Sequence, residues 1–133
     1  MAKVYFLWND DYSVGIDEID DQHKKIFSML NNLYDAFMLN KHHEMINDII
    51  NEMVDYSIYH FKTEEKYFEK FQYTDRVDHI FEHKQFIEAA NNFKKKSNST
   101  ITFKVINFLT DWLKNHVMVS DKGYVKCFKD NGL

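Results

Sequence analysis

The chain has 133 residues, of which 44% are hydrophobic and 17% aromatic, and its formal net charge is −4. This length fits one domain around one buried core, so we predict a single domain over residues 1–133 and exclude disorder. The acidic balance leaves no basic footprint for nucleic acid. With no proline and only three glycines, the composition favours long helices over a turn-rich sandwich or barrel.

Two further features bear on location. Cys127 is the single cysteine, which rules out an internal disulfide and predicts a reducing, cytoplasmic compartment. The short apolar stretch 4–8 runs directly into Asp10 and Asp11. It therefore predicts neither a signal peptide nor insertion into a membrane.

Helical periodicity organises the chain from residue 16 onward, where apolar residues recur at spacings of three and four. Residues 1–15 lack this pattern and are predicted to form an extended N-terminal arm that carries Trp8 and Tyr12. The predicted helices start near Ile16, near Lys41, after the N-cap candidates Thr74 and Asp75, and at Ser99 or Thr100, with one more helical turn around 124–128. A charged turn is expected over 94–100.

Short connections between four helices place consecutive helices side by side in opposite directions. The predicted fold is therefore all-α, an up-down-up-down antiparallel four-helix bundle with an extended N-terminal arm. The acidic run 17–21 is expected to be a solvated first turn, which the helix dipole favours.

Seven histidines are present, and five of them interrupt the apolar stripes of the predicted helices. The other two, His42 and His43, fall at the first helix–helix turn and are expected to face water. A lone buried histidine is usually satisfied by a neighbouring hydrogen bond, but five together need a shared explanation. The five are His23, His60, His79, His83 and His116.

These five histidines are predicted to share one end of the bundle. His23 lies near the start of the first helix, and His60 toward the end of the second. In an up-down-up-down bundle those two positions are neighbours, and the same holds for the start of the third helix and the end of the fourth. Glu64, four residues after His60, projects from the same helical face. The sequence therefore predicts a metal centre.

The number and kind of ligands favour two metal ions. Five histidines exceed the usual four-ligand set of one zinc ion, and carboxylates such as Glu64 can bridge two ions. Asp121 is a second candidate, although five α-helical residues after His116 turn about 500° and move it off that face unless the helix ends or widens. Nitrogen-rich, thiolate-free coordination favours iron or manganese over zinc and copper.

A combination of motifs covering nearly the whole chain resembles the hemerythrins, most closely the single-domain bacterial type. The motifs are Trp8, Tyr12-Ser13-Val14-Gly15-Ile16, Ile19-Asp20-x-Gln22-His23, His60-Phe61-x-x-Glu64-Glu65, His79-x-x-x-His83 and Trp112-Leu113-x-x-His116-x-x-x-x-Asp121. All seven metal-ligand positions of that family are filled by the expected residue type.

The resemblance implies a di-iron centre bridged by an oxo or hydroxo group. One iron would take His79, His83 and His116. The other would take His23 and His60, while Glu64 and Asp121 bridge the pair. Dioxygen would bind reversibly at the iron with two histidines, in a pocket of Ile26, Phe61, Trp112, Leu113 and Val117.

By this resemblance the protein is expected to carry, store or deliver dioxygen and not to be an enzyme. Its sequence does not identify a protein that receives the oxygen. Glu65 and Glu82 adjoin ligands and are expected to face water, although either could support a ligand from outside.

Three other functions could use some of the same residues. A ferritin-like di-iron bundle needs Glu-x-x-His on two helices, and no histidine here has a glutamate three residues before it. A zinc peptidase using His79-x-x-Glu82-His83 stays open but leaves three histidines unexplained. Sensing of oxygen, redox state or nitric oxide through the same centre stays open as well.

Overall fold

The computed structural model describes residues 7–41, 43–95 and 103–133, and its helices form the predicted four-helix bundle. The four long helices are α1 (Asp17–Met38), α2 (His43–Phe71), α3 (Arg76–Lys95) and α4 (Phe103–Asn115). After α4 the chain continues as a π-helical segment (His116–Ser120), a 3-10 turn (Asp121–Tyr124) and a short helix α5 (Val125–Asp130). Each long helix packs on its chain neighbours, and α1 also packs on α4, which closes the bundle.

The predicted helix starts agree with this architecture where they can be compared. The third helix begins at Arg76, directly after Asp75. It runs through Lys95, so the predicted charged turn starts later than Lys94. The predicted start at Ser99 or Thr100 and the position of His42 lie outside the described residues. The predicted last turn of helix is confirmed as the 3-10 turn and α5.

Two apolar clusters fill the bundle, one on each side of the level at which the five histidines lie. The larger, the bundle core, occupies the space among the four helices and includes Ile26, Met53, Phe86 and Leu109. The smaller, here called the end cap, closes one end of the bundle. It consists of Val14, Ile16, Ile19, Tyr67, Phe68, Tyr73, Tyr124 and Phe128. No helix within the described ranges is long and apolar enough to cross a membrane.

The N-terminal arm is fixed to α1 at two places. Tyr12 packs edge-on against Phe27 with ring centroids 4.8 Å apart. The carboxylate of Asp20 accepts hydrogen bonds from the Ser13 hydroxyl at 2.6 Å and the Val14 amide at 2.8 Å. Asp20 is therefore buried, and the expectation that the whole acidic run is solvated was wrong at this position.

Replacing Asp20 with alanine should lower the free energy of unfolding by about 1.5–3 kcal/mol, since two hydrogen bonds to a buried charge are lost. Urea denaturation of the variant measures this difference. The exposed neighbour Asp21 offers the matched control, because Asp21→Ala removes the same charge without removing either bond. Equal stability of the two variants would show that Asp20 does not hold the arm.

Candidate metal centre

Five buried histidines meet at one end of the bundle, as the spacing predicted. α1 contributes His23, α2 contributes His60, α3 contributes His79 and His83, and the π-helical segment contributes His116. Their Nε2 atoms lie 3.0 Å apart in the pairs His23–His60, His79–His116 and His83–His116. All five rings therefore turn the same nitrogen toward the centre.

Asp121 is fully buried and lies between two sets of imidazoles. One set is His23 and His60, and the other is His79, His83 and His116. Its Oδ1 atom lies 3.0 Å from the Nε2 atoms of His79 and His116. The other oxygen, Oδ2, lies 2.9 Å from His23 Nε2. One carboxylate thus faces both sets, one oxygen to each.

Glu64 is also fully buried and lies between the same two sets. Its Oε1 atom is 3.1 Å from His83 Nε2 and 3.4 Å from His60 Nε2. The seven residues form two overlapping groups that share both carboxylates. One group is Glu64, His79, His83, His116 and Asp121, and the other is His23, His60, Glu64 and Asp121.

The π-helical segment explains how Asp121 reaches the site. In an α-helix Asp121 would point away from the face that carries His116. Here the helix widens after His116, and the Asp121 amide donates to the His116 carbonyl, five residues back. Such i→i+5 segments are rare and are often found at functional sites. The widened turn places both side chains at one centre.

The buried carboxylates attract positive charge. Burial and Asp121 would raise the pKa of Glu64, but the imidazoles of His60 and His83 outweigh them and lower it. Burial likewise opposes ionisation of Asp121, yet His116 holds its pKa well below the usual range. Burial lowers the pKa of His116, but Asp121 more than offsets this and raises it to about 10. The same two carboxylates would attract a metal cation bound at the centre.

Hydrogen bonding alone does not satisfy these groups. His116 Nε2 lies 3.0 Å from both His79 Nε2 and His83 Nε2, and one ring hydrogen serves only one of them. Within the described part of the chain, all four carboxylate oxygens of Glu64 and Asp121 are buried without a hydrogen bond of acceptable geometry. Lone pairs that converge without such bonds fit a bound cation. The chain therefore has a metal-binding centre.

Two partly exposed glutamates lie beside histidines on the outer side of the centre, which fits the supporting role that the sequence left open. Glu65 Oε2 accepts from His83 Nδ1 at 2.8 Å. Glu82 Oε1 lies 3.6 Å from His116 Nδ1 and accepts from the Ser120 hydroxyl at 2.7 Å. The nearby His116 imidazole, opposed by partial burial and assisted by the hydrogen bond from Ser120, lowers the pKa of Glu82 to about 2.

Four of the five predicted pocket residues are buried in the bundle core beside the centre, and the fifth, Trp112, is half-buried. The Phe61 ring stacks on His83 at 4.0 Å, and the Trp112 ring stacks on His116 at 4.6 Å. These two aromatic residues thus pack against the histidines of the five-residue group. The other three, Ile26, Leu113 and Val117, have at most 1% of their surface exposed.

The residues that seal the opposite side of the centre were missed in the sequence. Phe68 packs against His79 with ring centroids 4.8 Å apart, and Tyr124 lies 5.7 Å from the same ring. Phe128 stacks on Tyr124 at 4.3 Å. The spacing of Tyr124 and Phe128 after Asp121 predicts a helical turn, and Phe68 falls on the apolar stripe of the second helix, but neither feature indicates a wall of the centre. The end cap therefore shields the centre from water.

Comparison with known proteins agrees with this site. The family model for the hemerythrin HHE cation binding domain matches residues 14–128. A bacteriohemerythrin of Clostridium acetobutylicum is 31% identical over 90% of this chain and 98% of its own. Another, of Pseudomonas aeruginosa, is 35% identical over 91% and 80%. A hemerythrin-like protein of Naegleria gruberi is 33% identical over 90% of each chain.

Solved structures agree as well. A crystal structure of wild-type hemerythrin superposes with a TM-score of 0.86 and 30% identity, covering 93% of this chain and 98% of that one. A hemerythrin mutant with leucine replaced by alanine gives a TM-score of 0.88 and 28% identity, covering 95% and 98%. The matched family model, the similar proteins and the cluster of imidazoles and carboxylates at the end of the bundle together show that the chain belongs to the hemerythrin family.

Proposed function

We propose that this chain binds dioxygen reversibly at a centre of two iron ions, and that it carries, stores or delivers the gas without turning it over. The observation that supports two ions most directly is the position of Asp121. Its two oxygens face different groups of imidazoles, at 2.9 and 3.0 Å. A carboxylate so placed suits a bridge between two cations.

The number of ligands favours iron over zinc. One group offers five side-chain ligands and the other offers four, and the two groups share both carboxylates. Structural and catalytic zinc sites are usually tetrahedral. Iron and manganese accept six nitrogen and oxygen ligands.

The position of Glu82 argues against the zinc peptidase alternative. That mechanism needs the glutamate as a general base beside the metal. Here Glu82 approaches His116 from the Nδ1 side, away from the centre, and its side chain is 40% exposed. We therefore assign Glu82 to the support of His116.

When bound, two ferrous ions supply the electrons with which dioxygen is held and returned unchanged. We propose that dioxygen enters at the group of His23 and His60, which has four protein ligands where the other group has five. The chain's own contribution is exclusion of water and anions. Leu113 and Val117 belong to the dry bundle core beside the centre, with 1% of each side chain exposed. Such a wall limits access by solvent.

Leu113→Ala tests this wall. The change should cost about 2–5 kcal/mol of stability and leave a void that can admit solvent or a small anion. We expect the variant to keep its iron, to convert irreversibly to the ferric form faster than wild type, and to bind azide faster. The decay of the air-induced spectrum at one pH measures the first rate.

Leu109→Ala is the matched control, because Leu109 is equally buried in the same helix, one turn farther from His116. It should lose similar stability without a change in either rate. An unchanged rate in Leu113→Ala with its iron retained would remove Leu113 from the wall.

Reversibility is the direct test of the proposed function. The reduced iron protein should be nearly colourless, should gain strong charge-transfer bands in air, and should lose them under argon over repeated cycles. Continuous consumption of dioxygen would instead indicate an enzyme, and a spectroscopically silent zinc protein would revive the peptidase. Sensing would use the same centre, and it predicts in addition a change in binding to a partner on oxygenation.

A further inference from the structure

The outer nitrogens of the histidines meet different partners in the two ligand groups. In the five-residue group two of the three outer nitrogens lie near carboxylates, and one of these two is hydrogen-bonded. Glu65 accepts from His83 Nδ1 at 2.8 Å, and Glu82 lies 3.6 Å from His116 Nδ1. Two negative charges therefore border this group from outside.

The other group has no such charge on its outer side among the described residues. His60 Nδ1 lies 2.7 Å from Oε1 of Gln22, a neutral amide with 7% of its surface exposed. His23 Nδ1 is buried and, like His116 Nδ1, has no hydrogen-bond partner within the described ranges, but no carboxylate there lies within 4.0 Å of it as Glu82 does of His116. Carboxylates therefore lie on the outer side of one ligand group, and a neutral amide lies on the outer side of the other.

A directed chain of hydrogen bonds fixes the orientation of the Gln22 amide. The Thr63 hydroxyl donates to the Tyr59 carbonyl at 3.3 Å, so its oxygen is free to accept. The Gln22 NH2 group donates to that oxygen at 3.2 Å, which turns Oε1 toward His60. Since Oε1 only accepts, His60 must carry its proton on Nδ1 and present the Nε2 lone pair to the centre.

We propose that Gln22 is a positioning residue that fixes the His60 ring and tautomer while leaving its ion without outer negative charge, so that the two ions differ in ease of oxidation. This inference rests on the proposed di-iron function. It assigns a role to a residue that neither binds metal nor lines the oxygen pocket.

The physical basis is the strength of the outer hydrogen bond. A carboxylate that accepts from an imidazole N–H makes the ring a stronger donor and stabilises the higher charge of the ion. A neutral amide orients the ring with less of this effect. The first electron should therefore leave the ion held by His79, His83 and His116, while the ion at His23 and His60 stays reduced.

Stepwise oxidation of the reduced two-iron protein by ferricyanide measures this difference. Each step removes one electron from the protein and reduces one ferricyanide to ferrocyanide, and Mössbauer spectra of the iron-57 protein distinguish the ions. In Gln22→Glu, which keeps the shape and adds a charge, the equilibrium constant for removing the second electron should rise about tenfold. The constant for the first electron should change less than about threefold.

Two further variants complete the design. Gln85→Glu adds the same charge at an exposed position of α3. It should change the equilibrium constants for removing the first and second electrons much less than Gln22→Glu changes the second. Glu65→Gln should make the first electron harder to remove, and it decides the matter if Gln22→Glu does not fold.

Equal shifts in Gln22→Glu and Gln85→Glu would overturn the inference while the iron pair and reversible oxygen binding remain. An unchanged equilibrium constant for removing the first electron in Glu65→Gln would also overturn the inference. A wild-type protein without two irons would overturn the proposed function, and this inference with it.

Discussion

Removal of the metal is expected to lower the melting temperature by roughly 10–20 °C. At a free metal concentration 1,000 times the dissociation constant, binding stabilises the folded state by about 4 kcal/mol, which for a domain of this size corresponds to that shift. The physical reason is the burial of Glu64 and Asp121, whose four oxygens have no other acceptable partner in the described structure. Without a cation these groups lose their main source of compensation.

Calorimetry before and after chelation, followed by addition of ferrous iron, measures the effect. His116→Ala is a suitable control, because a variant that no longer holds metal should not respond to the chelator. Equal melting temperatures of the metal-free and metal-loaded wild type would contradict burial of the site.

Loss of a single ligand is expected to have the largest effect on function. Asp121→Asn keeps the size of the side chain but removes the charge that faces both groups, so iron content should fall below two per chain and oxygen binding should stop. Alanine at any of the other six ligand positions should have the same consequence. Iron analysis and air-minus-argon spectra measure both effects.

Asp20→Asn is the matched control, since Asp20 is also a buried carboxylate but bonds to the arm. His42→Ala, at a predicted solvent-facing turn, is a second control. If either control removes iron while Asp121→Asn does not, the ligand assignment is wrong.

The helices and the meeting of the five histidines with Glu64 could be predicted from spacing alone. His79 and His83 are four residues apart, and their position opposite His116 follows from the alternation of helix direction. Both relations follow from regular helix geometry, so residue spacing in the sequence is enough to predict them. The bundle was therefore accessible before any coordinates, and the motifs that resemble those of the hemerythrins indicated the family.

The turn that brings Asp121 into place was not accessible. Its spacing from His116 conflicts with an α-helix, and the sequence permits either an early helix end or a widened turn. The choice depends on tertiary contacts at the bundle end, including the burial of Asp121 itself. Local propensity does not contain that information.

The roles of the outer partners could not be assigned from the sequence for a related reason. Glu65 and Glu82 look like surface residues of a charged helix face, and Gln22 looks like a neighbour of His23 on a polar turn. Their contacts depend on rotamers and on which helix lies alongside, so a single sequence does not specify them. The end cap was missed likewise, because Tyr124 and Phe128 are distant in sequence from the helices they cover.

The central claim is that two iron ions at the end of this bundle hold one dioxygen molecule and return it. The most direct measurement combines iron analysis with gas-phase dioxygen titration of a single reduced sample, followed by recovery of the gas under argon. We expect two irons per chain, one dioxygen taken up per iron pair, and recovery of the same amount as dioxygen. One metal ion per chain, or uptake without recovery, would contradict it.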